Sequence, residues 1–485
     1  APAGRGHDGR AGAAAGTSRR MSLRSRVLRG GGYLAVRQAI GMVVGLGGTM
    51  LLTRTLGPGK YGLFAAAYGI FMYLQSLCQW GVAVFLIRAE EEPPRALYDQ
   101  AFTLLLALST GGILLGMASL PLLGAWMRLE GLAPVAAALF LCLLPLCVAQ
   151  VPQARLERAL DYRRVAWIEV GGQVANYGVA LPLAFATRSV WAMVAGMALQ
   201  AVLQMILLFA AAGYRPRLAW SRPRVREILG YGAGFSASLW IWQLRALVNP
   251  LVVGRLAGAE SVGYVSLAVR LVEALSFVRT ATWRLSISVL AKVQDDRPRL
   301  LQVVREGMSL QIMALAPLLL GFGLVAPWVI PRVFGPEWAP VLLVYPFIAF
   351  GYLVNSVFSL HSSALYVLRR NWDVSLFHLV HVALFAVAAA WLISRHGIVG
   401  YAWAEILVMP TYLVLHLALA RRLGMVRYTD AAVWMVVILP LFASWVGPWV
   451  WILVTLPLLW SATRRQIFQY AAMLTKRVQG GAHGY

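Results

Sequence analysis

The sequence predicts an all-α polytopic membrane protein of about 14 transmembrane helices, and three observations carry that prediction. Of 485 residues, 60% are hydrophobic and only 13% charged, with a mean hydropathy of +0.69. No soluble domain needs that much apolar sequence. Runs of about 20 apolar residues recur along the chain, each able to cross the roughly 30 Å hydrocarbon core. Their connections are short and rich in Arg, Gly and Pro. The runs are continuous rather than alternating, which excludes a transmembrane β-barrel.

In order, residues 1–20 (APAGRGHDGRAGAAAGTSRR) hold no apolar run and are expected to be disordered. Met21 is the first methionine, so this stretch reads as an upstream extension. No apolar region precedes a cleavage site, so a cleavable signal is not expected. Spans follow near 33–53, 61–86, 99–120, 132–151, 165–186, 190–212, 229–252, 262–285, 308–329, 340–362, 373–394, 398–419, 431–446 and 449–462. The last two could be one long helix or a hairpin turning at Gly447 and Pro448.

Charge decides between those alternatives. With the N-terminus cytoplasmic, 31 of the 43 Lys and Arg fall in inside segments, seven fall outside (Arg54, Lys60, Arg128, Arg188, Arg255, Arg332 and Arg395), and five lie within spans. The positive-inside rule then puts both termini in the cytoplasm and makes the number of spans even, hence fourteen. The net charge of +24 is read as topology rather than as a phosphate-binding footprint, and no nucleic-acid partner is expected. Cys78, Cys142 and Cys147 all sit in apolar runs without metal or redox spacing and read as packing residues.

An internal repeat organises the spans. RTLGPGKYG after the first span and RLAGAESVG after the seventh place Arg54, Gly57 and Gly62 against Arg255, Gly258 and Gly263, an offset of 201 residues. Two six-helix lobes in the same orientation are a recurrent transporter plan. The expected organisation is a basic segment 1–30, an N-lobe 31–220, a C-lobe 221–423, a helix pair 424–463 and a cytoplasmic tail 464–485. A substrate path would run between the lobes, lined partly by spans 1, 2, 7 and 8.

At this point the chain resembles the polysaccharide-unit flippases, the Wzx-like PST family of the multidrug/oligosaccharidyl-lipid/polysaccharide exporter superfamily. The likeness rests on LLTRTLGPGKYGLFAAAYGIFMYLQSLCQWGVAVFLIR (51–88), QARLERALDYRRVAWIEV (153–170), VVGRLAGAESVGYVSLAVRLVEAL (252–275) and RVFGPEWAPV (332–341). It covers roughly residues 34–423. The resemblance implies alternating-access export of lipid-linked sugars across the bacterial cytoplasmic membrane for exopolysaccharide, capsule or O-antigen, with cation coupling. Implied partners are lipid-linked oligosaccharide, membrane lipids, and the polysaccharide polymerase and export proteins. No cofactor is expected.

Ionisable residues inside spans are costly and therefore functional candidates. Arg270 and Glu273 share one face of span 8, and Arg245 lies at a similar depth on span 7, roughly 11 Å from the boundary. Arginines outnumber the acid in this layer, so Arg245, Arg270 and Glu273 are expected to form a cationic cavity for a diphosphate, which suits the planar guanidinium fork. The alternative is a structural Arg270–Glu273 pair with Arg245 snorkelling outward. Arg37, near the inner end of span 1, could receive the phosphate or anchor the span. Arg279 should face away from Arg270, and Arg284 should reach the headgroups.

Glu169, Glu405, His378 and His381 are candidates for ion coupling, against the plainer reading of satisfied structural polar groups. His378, His381 and Asp373 lack a third ligand of useful spacing, so no metal centre is expected. Gly41, Gly45, Gly47 and Gly48 would either loosen span 1 or allow close packing, and Asn249-Pro250 should break span 7. A membrane polymerase or ligase would need an acid/base constellation in a sizeable outer loop, and Glu130, Glu260, Glu337 and His396 are isolated there. A small-cation exporter of the same superfamily would want carboxylates in the cavity. A lipid II flippase is the nearer rival.

Overall fold

The computed structural model describes residues 23–89, 91–277 and 289–460, except for the side chains of 23–39, 234, 235, 444 and 458. The basic segment before residue 23, Arg279, Arg284 and the tail after 460 lie outside the described residues. The first half of the chain forms α1 (Leu23–Gln79), α2 (Val82–Arg88), α3 (Arg95–Met127), α4 (Leu132–Leu141), α5 (Leu143–Val148), α6 (Gln150–Arg158), α7 (Tyr162–Thr187) and α8 (Trp191–Ala212). The second half forms α9 (Arg222–Gln243), α10 (Gly254–Leu275), α11 (Arg297–Val333), α12 (Val341–Val367), α13 (Asn371–His396), α14 (Ile398–Leu407), α15 (Tyr412–Leu423) and α16 (Thr429–Val436).

Among the described residues, nine helical segments are long and apolar enough to cross a membrane. Two of them, Ile40–Gln79 and Ser236–Leu275, run for 40 residues. A straight helix of that length would extend about 60 Å, twice the hydrocarbon core. Both are instead broken in the middle, at Gly57 (φ 74°, ψ 172°) and Gly258 (φ 80°, ψ 176°). Only glycine populates that backbone region readily, so each segment is two arms joined at a glycine.

The two glycine turns pack against each other. A Cβ on Gly62 would lie 1.8 Å from the Ala259 carbonyl oxygen, and one on Gly263 would lie 2.5 Å from that of Pro58. Pro58 and Ala259 are themselves 201 residues apart, so the contact is reciprocal. The repeat read from sequence is therefore a local pseudo-two-fold axis between the lobes. Side chains at Gly62 and Gly263 would drive the backbones apart.

Span 1 packs closely on α7. A Cβ on Gly48 would fall 2.2 Å from the Tyr177 ring, and Gly41 and Gly45 leave similar room for Gln173. These glycines admit a neighbouring helix, the second of the two roles expected for them. Span 7 breaks as anticipated: α9 ends in a 3-10 turn (Leu244–Leu247) and then a π-turn (Asn249–Val253). Pro250 supplies no N–H to the helix ladder, and its ring seats against Gly69, 3.2 Å from where a Cβ would lie.

The end of the chain turns where the hairpin alternative put it. After α16, residues 439–459 form short helical pieces turned at Gly447 (φ 118°). Pro440, Pro448 and Pro457 interrupt the hydrogen-bond ladder. One long helix is therefore excluded, and the last two expected spans are short broken pieces rather than full-length helices. Large apolar side chains elsewhere point outward, as on α3, where Leu114, Leu115 and Leu122 are 62–73% exposed. Such a face suits lipid.

Candidate functional site

A cavity of about 1050 Å³ lies between the lobes. The two arms of α1 with α7 and α8 form one wall, and α9, α10, α12, α13, α14 and the turns beside them form the other. Trp338, from the RVFGPEWAPV segment, packs behind Tyr61 of the lining and joins the lobes toward the Arg-poor end. Its ring meets Tyr61 at 5.6 Å and Tyr264 at 5.9 Å edge-on, and its Nε1 donates to the Thr53 carbonyl at 3.3 Å. Toward the Arg-rich end, Trp240 Nε1 donates to the Ser76 carbonyl at 3.1 Å and its ring lies 4.7 Å from that of Trp80. Trp80 in turn donates to the Leu229 carbonyl at 3.0 Å, where Gly232 allows its backbone to approach. The lobes are thus joined above and below the cavity.

The wall from the C-lobe is charged. Arg245 Nη2 donates to Glu405 Oε2, and the two side chains are 19% and 3% exposed. The guanidinium also stands 4.6 Å over the Phe385 ring and 5.9 Å from that of Trp242. An arginine held this way is neither snorkelling nor a free cation. The outward-snorkelling alternative is corrected: Arg245 lines the cavity, as the first expectation had it, and helices distant in sequence bring an acid to it.

Arg270 takes a different role. It reaches across to the N-lobe, where Nη2 donates to the Tyr177 hydroxyl at 3.4 Å and the Gly45 carbonyl at 3.5 Å. Glu273 instead accepts from the Tyr352 hydroxyl at 3.0 Å, and no ion pair joins it to Arg270. Sharing a helix face brought the two close without pairing them. Both hydrogen bonds of Arg270 go to neutral groups, with the Glu273 carboxylate near enough to act on its charge through space.

The other candidates scatter. Glu169 lines the cavity and lies 3.5 Å from the Gln153 amide nitrogen, which also donates to Glu157. His381 lines it too, with Nδ1 2.8 Å from Thr411 Oγ1 and its ring against Phe377 and Tyr412. His378 is not part of the lining and stacks at 5.0 Å on Trp242. The side chain of Arg37 lies outside the described residues. Among the described residues, no group of three or more His, Cys, Asp or Glu could hold a metal ion. Cys78, Cys142 and Cys147 are buried and free.

The lining therefore holds two arginines and three carboxylates, Glu169, Glu273 and Glu405. Among the described residues the lining shows no excess of positive charge. What sequence reasoning missed is a set of neutral amides: Gln173 and Asn176 on α7, Gln200 and Gln204 on α8, and Gln75, Gln79, Gln243, Asn249 and Asn355 elsewhere. A charge count cannot detect them. Their spacing could have: Glu169, Gln173 and Asn176 fall at i, i+4 and i+7 of an otherwise apolar helix, and Gln200 and Gln204 at i and i+4.

Comparisons with known proteins agree with this architecture. A family model described as "Polysaccharide biosynthesis protein" matches residues 51–343, more than half of the chain. The chain is 26% identical over 345 residues to the lipopolysaccharide biosynthesis protein WzxC of Escherichia coli (strain K12), covering 70% of this chain and 69% of WzxC. It is 24% identical to the succinoglycan biosynthesis transport protein ExoT of Rhizobium meliloti (strain 1021), over 60% of each chain. In fold it is similar to the lipid II flippase MurJ in an inward closed conformation, with a TM-score of 0.68, 13% identity, and coverage of 90% of this chain and 99% of that one. The matched segment contains both glycine turns, Trp338 and Arg270, and the chain belongs to the polysaccharide biosynthesis protein family.

Proposed function

We propose that the protein flips lipid-linked, diphosphate-type oligosaccharide units across the bacterial cytoplasmic membrane by alternating access, for cell-surface polysaccharide biosynthesis. The observation that carries this reading is a polar cavity between two lobes, joined at both ends, in a multi-pass membrane protein of this family. A hydrated headgroup cannot cross hydrocarbon unaided, and a polar chamber that opens to one side at a time removes that barrier. The activity is movement without bond chemistry.

Arg270 is the residue we assign to the diphosphate, because it lines the cavity and its hydrogen bonds go only to a hydroxyl and a carbonyl. Arg245 supports the C-lobe wall through Glu405, and Glu169 and His381 remain coupling candidates by their position on the lining. The charge asymmetry supports cytoplasmic N- and C-termini. A polymerase and export proteins would act on the flipped product.

The test is reconstitution into vesicles with a fluorescent polyprenyl diphosphate oligosaccharide, scored by its accessibility in each leaflet. Wild-type protein should accelerate flipping, and Arg270→Ala should abolish it while inserting normally. Equal flipping by empty vesicles and protein would sink the proposal. The three carboxylates on the lining favour one rival, a small-cation exporter. Transport of a fluorescent organic cation in the same vesicles, with no flipping, would establish that rival instead.

A further inference from the structure

We propose that the joint at the Arg-rich end is a strained latch, with Trp80 as its catch, and that the strain biases the empty protein toward opening to the cytoplasm. The proposal rests on the flippase reading above and on the cytoplasmic placement of that end. Between α1 and α2 the chain turns through Trp80 (φ 45°) and Gly81 (φ 69°), two positive-φ residues in succession. Glycine adopts that conformation freely, whereas a Cβ there crowds the backbone and a bulky side chain is a true outlier. The other positive-φ residues with side chains, Arg128, Leu160, Arg188 and Arg369, each donate their backbone N–H to the helix they follow. Trp80 is held from the opposite lobe.

Its indole Nε1 donates to the Leu229 carbonyl at 3.0 Å and its ring meets that of Trp240 at 4.7 Å. Its carbonyl oxygen lies 1.9 Å from where a Cβ on Gly232 would stand. Past the turn, α2 lies against the same helix, α9: Phe85 is 5.6 Å from the Tyr231 ring, and Arg88 Nη1 donates to the Tyr231 hydroxyl at 3.1 Å. The turn therefore lays the end of α1 and the whole of α2 on the C-lobe together. Strain of this kind persists only where surrounding contacts over-determine it. When the lobes part at this end the contacts go, and Trp80 is free to relax to the right-handed region.

The joint at the Arg-poor end is built without that load. The two turns that meet there, and the one leading into Trp338, place their positive φ on glycines: Gly57, Gly258 and Gly335. Trp338 is fully buried, and Arg54 Nη1 donates to the Arg332 carbonyl at 2.8 Å. A cation on the C-terminal end of α11 is also favoured by the helix dipole. Trp80 and Trp240 are only half-buried, so water competes for their contacts. Of two closed joints, the strained and wetter one opens first. A substrate arriving from the cytoplasmic leaflet then meets an open cavity, and its contacts with both lobes must offset the strain for the latch to close again, because a ligand shifts an equilibrium only by its differential affinity.

The test uses the full-length protein with Cys78, Cys142 and Cys147 replaced by alanine and Ala246→Cys on the cavity lining as reporter. It is labelled with a membrane-impermeant maleimide in sealed right-side-out and inside-out vesicles without substrate. Labelling from the cytoplasmic face should be faster by about tenfold, the worth of one left-handed residue. Position 80 separates strain from contact: Trp80→Ala and Trp80→Gly both lose the indole, and only alanine keeps the strain. Cytoplasmic labelling of Trp80→Ala should exceed that of Trp80→Gly by about fivefold. Trp240→Ala, which leaves the turn intact, should also raise cytoplasmic labelling, and Trp338→Ala should raise labelling from the other face.

Equal labelling of wild-type protein from both faces, or equal rates for the alanine and glycine variants, would overturn the latch. Flipping of a polyprenyl diphosphate oligosaccharide by the same protein in vesicles keeps the two readings apart. Flipping with equal labelling leaves the flippase reading standing without the latch. The expected labelling pattern with no flipping overturns the flippase reading and leaves the conformational bias in place.

Discussion

At the point where the lobes touch, Gly57 of the N-lobe and Gly258 of the C-lobe have nearly identical backbone angles, and Gly62 and Gly263 make reciprocal contacts. At the cavity, the same two lobes differ: amides with Glu169 on one side, the Arg245–Glu405 pair and Arg270 on the other. Steric necessity accounts for the likeness. Two backbones that approach within van der Waals distance tolerate no side chain, so both copies keep glycine. A cavity wall has no such constraint, and duplicated positions could diverge toward different chemistry: Arg270 of the C-lobe corresponds, at the repeat offset, to Gly69 of the N-lobe.

The largest effect expected is on the charged side. Glu405→Gln strands Arg245 beside aromatic rings and should cost about 3–5 kcal/mol of stability, as removal of one partner of a buried pair does. Thermal unfolding in detergent reads it, and Arg245→Met/Glu405→Leu should recover most of the loss. If the double variant is no better than the single one, the pair is not the unit that matters.

The glycine turns give the next effect. Gly57→Ala and Gly258→Ala should each cost about 1–3 kcal/mol, because alanine is strained at those angles. The sharper content is equality: the two losses should agree closely. A marked difference would break the symmetry argument for the turns.

Arg270→Gln should lower stability by less than about 1.5 kcal/mol, since it gives up only two long hydrogen bonds to neutral groups. Flipping should nevertheless be lost. Destabilisation on the scale of Glu405→Gln would instead make Arg270 structural. The smallest effect belongs to the partly exposed Arg370–Asp373 pair at the start of α13, at 2.8 Å. Screening by solvent should leave Asp373→Asn with an unchanged melting temperature.

Much of the fold was legible in sequence because hydrocarbon is a severe solvent: it demands apolar runs of fixed length and displaces Arg to one side. The repeat was legible because glycine marks both turns. The break in span 7 was visible at Pro250. At the end of the chain the turn was visible at Gly447 and Pro448, while the fragmentation of the helices on either side follows from three prolines.

The site was legible only in part. Reading charges by depth selected Arg245, Arg270 and Glu273, and all three line the cavity. Pairing was a different matter. Arg245 and Glu405 are 160 residues apart, and nothing local to either position indicates the other. Likewise, Gln173 and Gln200 carry no charge to flag them, and Trp338 looks from its segment like one more interfacial tryptophan until it is seen between Tyr61 and Tyr264.

The sequence alone determined the solvent of this protein, the helices and the duplicated turn, since each depends on residues within one span or one turn of each other. Only the tertiary structure decided which arginine is ion-paired, which instead hydrogen-bonds across to the N-lobe, and that the opposite wall is rich in amides. Those facts depend on contacts between the Leu244–Leu247 turn and α14, α10 and α7, and α7 and α8, whose energies are set by packing in three dimensions.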